Sequence, residues 1–242
     1  MSLRVRPLPS PNQDDRPPGA LIDMLVLHYT GMPTAEAALA RLCDPAARVS
    51  SHYVVEEDGT IWRLVDETRR AWHAGVSHWR GYAGLNDRSI GIEIVNPGHE
   101  WGYRPFPALQ MAAVCELCLG VLKRHPIPPG NVVAHSDVAP DRKQDPGELF
   151  DWRGLAENGV GLWPTAAGTG AAPGESVCPD DGFRALEILG EIGYRTDLSL
   201  PTVLRAFQRR WRSESVTGEA DRETLVRLSE VLDRVRSLTR RA

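Results

Sequence analysis

Apolar residues recur along the first two thirds of the chain in short runs bounded by turn residues. Leu21 to His28, Ser51 to Val55, Thr60 to Leu64, Ser89 to Val95 and Val132 to Ala134 read as strands. Asp58-Gly59, between the second and third runs, is a hairpin turn signal. Alternation in the fourth run puts Ile90, Ile92 and Ile94 on one face and Gly91, Glu93 and Val95 on the other. One carboxylate therefore stands in an otherwise apolar strand, aimed at solvent or into a cleft. Apolar residues at helical spacing mark Ala35 to Cys43 and Pro107 to Arg124. Strands interleaved with helices predict an α/β fold, a central mixed β-sheet flanked by helices.

The pattern changes at Thr165–Ser176, where small residues, Gly and Pro offer nothing large to bury. Beyond it, helices are expected at about Asp180 to Ile192, Leu200 to Arg212 and Asp221 to Thr239, with Leu204, Phe207, Gln208 and Trp211 on one helical face. The expected organisation is an extended polar leader (1–19), an α/β domain (20–164), a flexible linker (165–176) and a small C-terminal three-helix domain (177–242).

Composition narrows the picture little. With 42% hydrophobic and 25% charged residues over 242 positions, the chain is ordinary for a globular protein. A net charge of -4 gives no electrostatic reason to expect nucleic acid or an anionic membrane surface as partner. No apolar run approaches a membrane span. The first residues are basic but lack the apolar core of a signal peptide, so a cytoplasmic location is expected. Cys115-Glu116-Leu117-Cys118 is formally a C-x-x-C motif, but both cysteines share a helical face with Met111 and Leu122. With no second pair among Cys43 and Cys178, they are read as small core residues.

Candidate chemistry lies where apolar runs end. His28 closes Leu25-Val26-Leu27, and His135 follows Val132-Val133-Ala134 before a charged loop that runs to Lys143-Gln144-Asp145-Pro146-Gly147. Imidazole and carboxylate are zinc ligands, and three protein ligands with an open fourth position characterise a catalytic site. On chemistry alone Asp137, Asp141 and Asp145 are equal candidates for the carboxylate. Glu93 near a metal-bound water could move its proton. Trp72 and His73 lie among small residues (Ala71-Trp72-His73-Ala74-Gly75), which suits close approach by a ligand or a tight packed loop. A general zinc peptidase is disfavoured, because no H-E-x-x-H helix is present.

Five ordered segments carry a resemblance: His28-Tyr29-Thr30, Ser51–Val55 with Asp58-Gly59, Ala71–Gly75, Leu85–Glu93 and His135–Gly147. Over roughly residues 20–164 the chain resembles the zinc-dependent N-acetylmuramoyl-L-alanine amidases of the AmpD/AmiD group (amidase type 2). Leu204–Arg210 and Thr217–Leu225 more weakly resemble a peptidoglycan-binding three-helix domain. The resemblance implies the amidase type 2 (peptidoglycan-recognition) fold and one Zn2+ per chain held by His28, His135 and Asp145. It assigns catalysis to Glu93 and Lys143, and puts Trp72, His73 and Asn86 in segments lining the substrate cleft. Tyr53 sits where some relatives use a catalytic tyrosine and is secondary beside Glu93. The implied reaction is hydrolysis of the amide between the lactyl group of (1,6-anhydro-)N-acetylmuramic acid and L-alanine. In it Glu93 shuttles the water's proton to the leaving nitrogen, while Lys143 and zinc stabilise the oxyanion. The expected partners are muropeptides or peptidoglycan fragments, met in cytoplasmic recycling. Alternatives are an exported amidase acting on intact cell wall and a non-catalytic muropeptide-binding protein.

Overall fold

The computed structural model describes residues 5–164 and 180–240. The strands are β1 (Val5–Pro7), β2 (Gln13–Asp15), β3 (Met24–Tyr29), β4 (Tyr53–Val55), β5 (Ile61–Arg63), β6 (Arg69–Ala71), β7 (His78–Trp79), β8 (Tyr82–Ala83), β9 (Ser89–Ile94) and β10 (Val132–Ala134). The helices are α1 (Ala35–Cys43), α2 (Gly98–Trp101), α3 (Ala108–Arg124), α4 (His135–Val138), α5 (Trp152–Glu157), α6 (Asp180–Ile192), α7 (Leu200–Trp211) and α8 (Arg222–Thr239).

The main sheet has the order β1-β5-β4-β9-β3-β10 and is mixed as expected. β4, β9, β3 and β10 run parallel, β5 is antiparallel to β4, and β1 is parallel to β5. Parallel strands covered on both faces need continuous apolar sequence, which Met24-Leu25-Val26-Leu27 supplies; all four side chains are buried. On one face Leu25, Leu27, Ile90, Ile92 and Ile94 pack against Val114, Leu117, Cys118 and Val121 of α3. The alternation read from Ser89–Val95 is thus realised, and Cys118 is a core residue of α3. On the other face Met24, Val26 and Val133 join Ala185, Leu189, Val203, Leu204, Phe207, Leu228 and Val231 of α6, α7 and α8. Farther along this face, Val54 meets Leu42 of α1.

The three C-terminal helices are present and share one core with the sheet. The linker expected at 165–176, like Cys178, lies outside the described residues. Gln208, placed by spacing on the apolar face of α7, is buried for a polar reason. Its side chain donates to Thr217 Oγ1, the Glu219 carbonyl and Thr224 Oγ1, and accepts the Gly218 N–H.

The leader is extended but built into the fold. β1 adds to the sheet edge with Val5 opposite Ile61, and β2 pairs with β6. Arg16 then donates to the carbonyls of Glu67, Asn86, Asp87 and Ser89, tying the leader to the β5–β6 connection and to the segment entering β9. The strand expected from Leu21 begins only at Met24, since Leu21 is exposed and Asp23 pairs with Arg88. Among the described residues no helix is long and apolar enough to cross a membrane.

Candidate metal centre

Three neighbouring parallel strands deliver the chemistry at their C-terminal ends, the usual binding edge of such sheets. His28 on β3 stands opposite Glu93 on β9. Ala134, the last residue of β10, stands opposite Leu27, so His135 emerges beside His28. The charged loop after α4 folds back over this edge, with the Lys143 N–H bonded to the Ala139 carbonyl and the Ser136 N–H to that of Asp145, both at 3.0 Å.

That fold-back closes a triangle. His28 Nδ1 lies 2.9 Å from His135 Nδ1, and each nitrogen lies 3.0 Å from Asp145 Oδ2. All three side chains are buried. Whether protons or a cation occupy the triangle follows from the hydrogen bonds behind it. The single Ser89 hydroxyl hydrogen goes to the Leu85 carbonyl at 2.7 Å, because a carbonyl can only accept. Ser89 Oγ must then accept from His73 Nε2 at 3.1 Å, leaving His73 Nδ1 to accept from His28 Nε2 at 3.0 Å. The Ala74 carbonyl likewise takes the proton of His135 Nε2 at 3.2 Å. Both Nδ1 atoms therefore present lone pairs to each other and to a carboxylate oxygen.

Three lone pairs converging in a buried space repel one another unless a cation lies between them. Charging His28 is not the remedy, since burial, followed by the field of His135, pulls its pKa down to about 4. The donor set of two imidazoles and one carboxylate could hold a divalent metal, and it suits zinc. These three are the His/Cys/Asp/Glu group among the described residues with ligand atoms close enough for this. Of the competing carboxylates, Asp141 is exposed. Asp137 is fully buried but committed elsewhere, accepting from the Ala134 N–H, Tyr194 Oη and Arg210.

Glu93 lines the same cleft, whose volume is about 350 Å³. Its Oε2 is shielded from solvent with no hydrogen-bond partner among the described residues. Burial first, then the negative charge of Asp145, push its pKa well above the ordinary carboxylate value; Lys143 opposes the rise. Lys143, partly exposed, and Trp72 line the cleft as well.

The other anticipated contacts have different surroundings. Asn86 does not line this cleft: its Oδ1 accepts the backbone N–H groups of His73 and Ala74 at 3.2 and 2.8 Å. His73, only 8% exposed, borders the cleft while its two ring nitrogens engage His28 and Ser89. Tyr53 belongs to the opposite face of the sheet, and its hydroxyl donates to Glu67 at 2.8 Å. Arg41 and His99, which the sequence reading passed over, line the cleft. His99 carried a signal, since it follows the C-terminal end of a parallel strand; Arg41 is on a helical face with nothing local to mark it.

Similarity to known proteins coincides with this geometry. The family model of N-acetylmuramoyl-L-alanine amidase matches residues 17–148. The Escherichia coli N-acetylmuramoyl-L-alanine amidase AmiD is 41% identical over 225 residues, covering 84% of this chain and 79% of that protein. The E. coli 1,6-anhydro-N-acetylmuramyl-L-alanine amidase AmpD is 37% identical over 165 residues, covering 61% of this chain and 88% of its own. A solved complex of E. coli AmiD with its substrate anhydro-N-acetylmuramic acid-L-Ala-D-gamma-Glu-L-Lys superimposes with a TM-score of 0.79 at 39% identity, covering 90% of this chain and 92% of that one.

Proposed function

The chain belongs to the N-acetylmuramoyl-L-alanine amidase family, and from that premise we propose that it cleaves the amide between the lactyl group of 1,6-anhydro-N-acetylmuramic acid and the L-alanine of the stem peptide. The anhydro substrates named for AmiD and AmpD support that choice. The observation that carries the chemistry is the convergence of His28 Nδ1, His135 Nδ1 and Asp145 Oδ2 within 3.0 Å of one another, beside an unpartnered Glu93 oxygen.

In this reading His28, His135 and Asp145 would hold one zinc ion. When bound, zinc lowers the pKa of a water from 15.7 towards about 7 and polarises a carbonyl oxygen. Glu93, the register partner of His28 on the neighbouring strand, would take the proton of the attacking water on its carboxylate. Burial raises its proton affinity above that of an ordinary carboxylate, which favours keeping that proton until it is returned to the departing alanine nitrogen. The Lys143 ammonium faces the same cleft and counters negative charge developing on the scissile carbonyl oxygen. Trp72 offers an apolar wall for the substrate. His73, at the border of the cleft, orients His28, and Asn86 acts behind it by fixing the 73–74 backbone.

The test is digestion of purified anhydro-muropeptides and, separately, intact sacculi, followed by mass spectrometry. Release of an intact stem peptide with a free L-alanine amine, faster from the anhydro fragments, is expected. Binding without release would sink the enzymatic reading; faster release from sacculi would overturn the substrate choice.

A further inference from the structure

Helix α7 carries two adjacent arginines that leave their own helical unit and reach two of the three segments bearing the candidate metal ligands, those of His135 and Asp145. Arg210 is 4% exposed. Its Nη1 donates to Asp137 Oδ2 at 2.6 Å and its Nη2 to the Val132 carbonyl at 3.0 Å. The guanidinium is stacked between Trp152 and Trp211, 4.1 and 4.3 Å from the ring centres. Asp137 is fully buried, and its other contacts come from both directions: the Ala134 N–H at 2.9 Å and the Tyr194 hydroxyl at 2.6 Å. Val132, Ala134 and Asp137 bracket His135. Arg209 turns the other way, towards Gln144 Oε1 at 3.5 Å and Glu148 Oε2 at 3.6 Å, on either side of Asp145.

We propose that Arg210 is a positioning residue of the metal centre, acting through Asp137 to fix the turn that aims His135 Nδ1 at His28 and Asp145. Helices α6, α7 and α8 are then a structural part of the metal site. The physical ground is the buried carboxylate. Asp137 braces the β10–α4 junction only while it stays inside, and a buried carboxylate stays inside only with a counter-charge. Arg210 is the cation that supplies it among the described residues. Losing Arg210 would draw Asp137 towards water, release the Ala134 N–H and turn the first residue of α4. Loss of such supporting contacts typically costs roughly 10–100-fold in metal affinity.

This inference rests on the metal-centre reading above, and the two fail differently. Zinc affinity is measured on the full chain by competition with a chromophoric chelator, alongside thermal melting. Arg210→Met is expected to weaken zinc binding roughly 10–100-fold. Arg210→Lys keeps the charge but not both contacts and should fall in between. Leu232→Ala, which thins the same core without touching the ligand segments, should lower the melting temperature yet leave zinc affinity within about twofold. Because Arg210 acts through Asp137, adding Arg210→Met to Asp137→Asn should cost less affinity than it does alone. Parent-like zinc binding in Arg210→Met would overturn the proposal, as would an equal loss in Leu232→Ala. Should Arg210→Met not fold, parent-like affinity in Arg210→Lys overturns it. A parent protein that binds no zinc rejects the metal-centre reading itself.

Discussion

Gly91 lies beneath the imidazole that orients His28, and replacing it by alanine is a sharp probe of the hydrogen-bond chain. A Cβ built at Gly91 would lie 2.6 Å from both Cδ2 and Nδ1 of His73, whereas ordinary contacts begin near 3.4 Å. The obstacle is the body of a buried ring, held by Ser89 on one nitrogen and His28 on the other. The ring must retreat by about 0.8–1 Å, which takes the His73–His28 contact from 3.0 Å past hydrogen-bond range. Overpacking costs about 1–3 kcal/mol, and the lost hydrogen bond about 0.5–1.5 kcal/mol. Together they amount to roughly 1.5–4.5 kcal/mol, a fall in melting temperature of roughly 3–18 °C for a chain of this size. Without its Nε2 partner, His28 is no longer held in the tautomer that offers Nδ1, so zinc affinity should drop roughly 10–100-fold. Calorimetry and chelator competition read the two effects separately. If Gly91→Ala melts with the parent and binds zinc within about twofold of it, the chain from Ser89 to His28 does not orient the ligand.

Other substitutions and conditions separate the remaining roles. Glu93→Gln should keep one zinc per chain and a KM within a few fold while kcat falls roughly 10²–10⁴-fold; Lys143→Ala should cost roughly 10²–10³ in kcat. Near-normal turnover by either variant, measured on anhydro-muropeptide, would reject the role. Zinc removal by chelation should abolish activity and, if zinc had been present at about 1,000 times its Kd, remove about 4 kcal/mol of stability; a melt unchanged by chelator would argue against the site. His52, buried beside Arg16, has its pKa pulled from 6.5 to about 3 by burial and then by the Arg16 charge. The unfolded chain binds this proton and the folded chain does not, so stability is full above pH 6.5 and declines as pH falls towards 3. By pH 5 the loss from this group is about 2 kcal/mol. Denaturant titrations of His52→Gln should show a shallower decline below pH 6.5, and an identical slope would exclude this origin.

The half of the site carried by strands was legible in the sequence because parallel strands place their last residues at one edge. Two histidines closing apolar runs stand at that edge, together with one glutamate that strand alternation alone left aimed at solvent or into a cleft. The choice among Asp137, Asp141 and Asp145 was not legible from chemistry. It turns on a loop that folds back and on Asp137 being engaged by Arg210, 73 residues away. Arg209-Arg210 in a helix reads locally as a solvated face, and only tertiary packing buries it. A sequence does not distinguish a side chain that lines the cleft, as His73 does, from one such as Asn86 that braces its wall. The packing of the leader was not legible for the same reason: Arg16 finds its acceptors 51 to 73 residues away.

An open six-stranded sheet has two rims, and an unprotected rim is a template for pairing with another chain. Here β1 forms one rim with three exposed residues, among them a proline with no N–H to offer and Arg6 lying over Trp62. At the other rim, β10, the Val132 carbonyl already accepts from Arg210. The contact that braces the β10–α4 junction therefore also blunts a sticky edge. Loss of α7 would expose that edge to strand addition, and edge-to-edge aggregation is the fate the sheet would then meet.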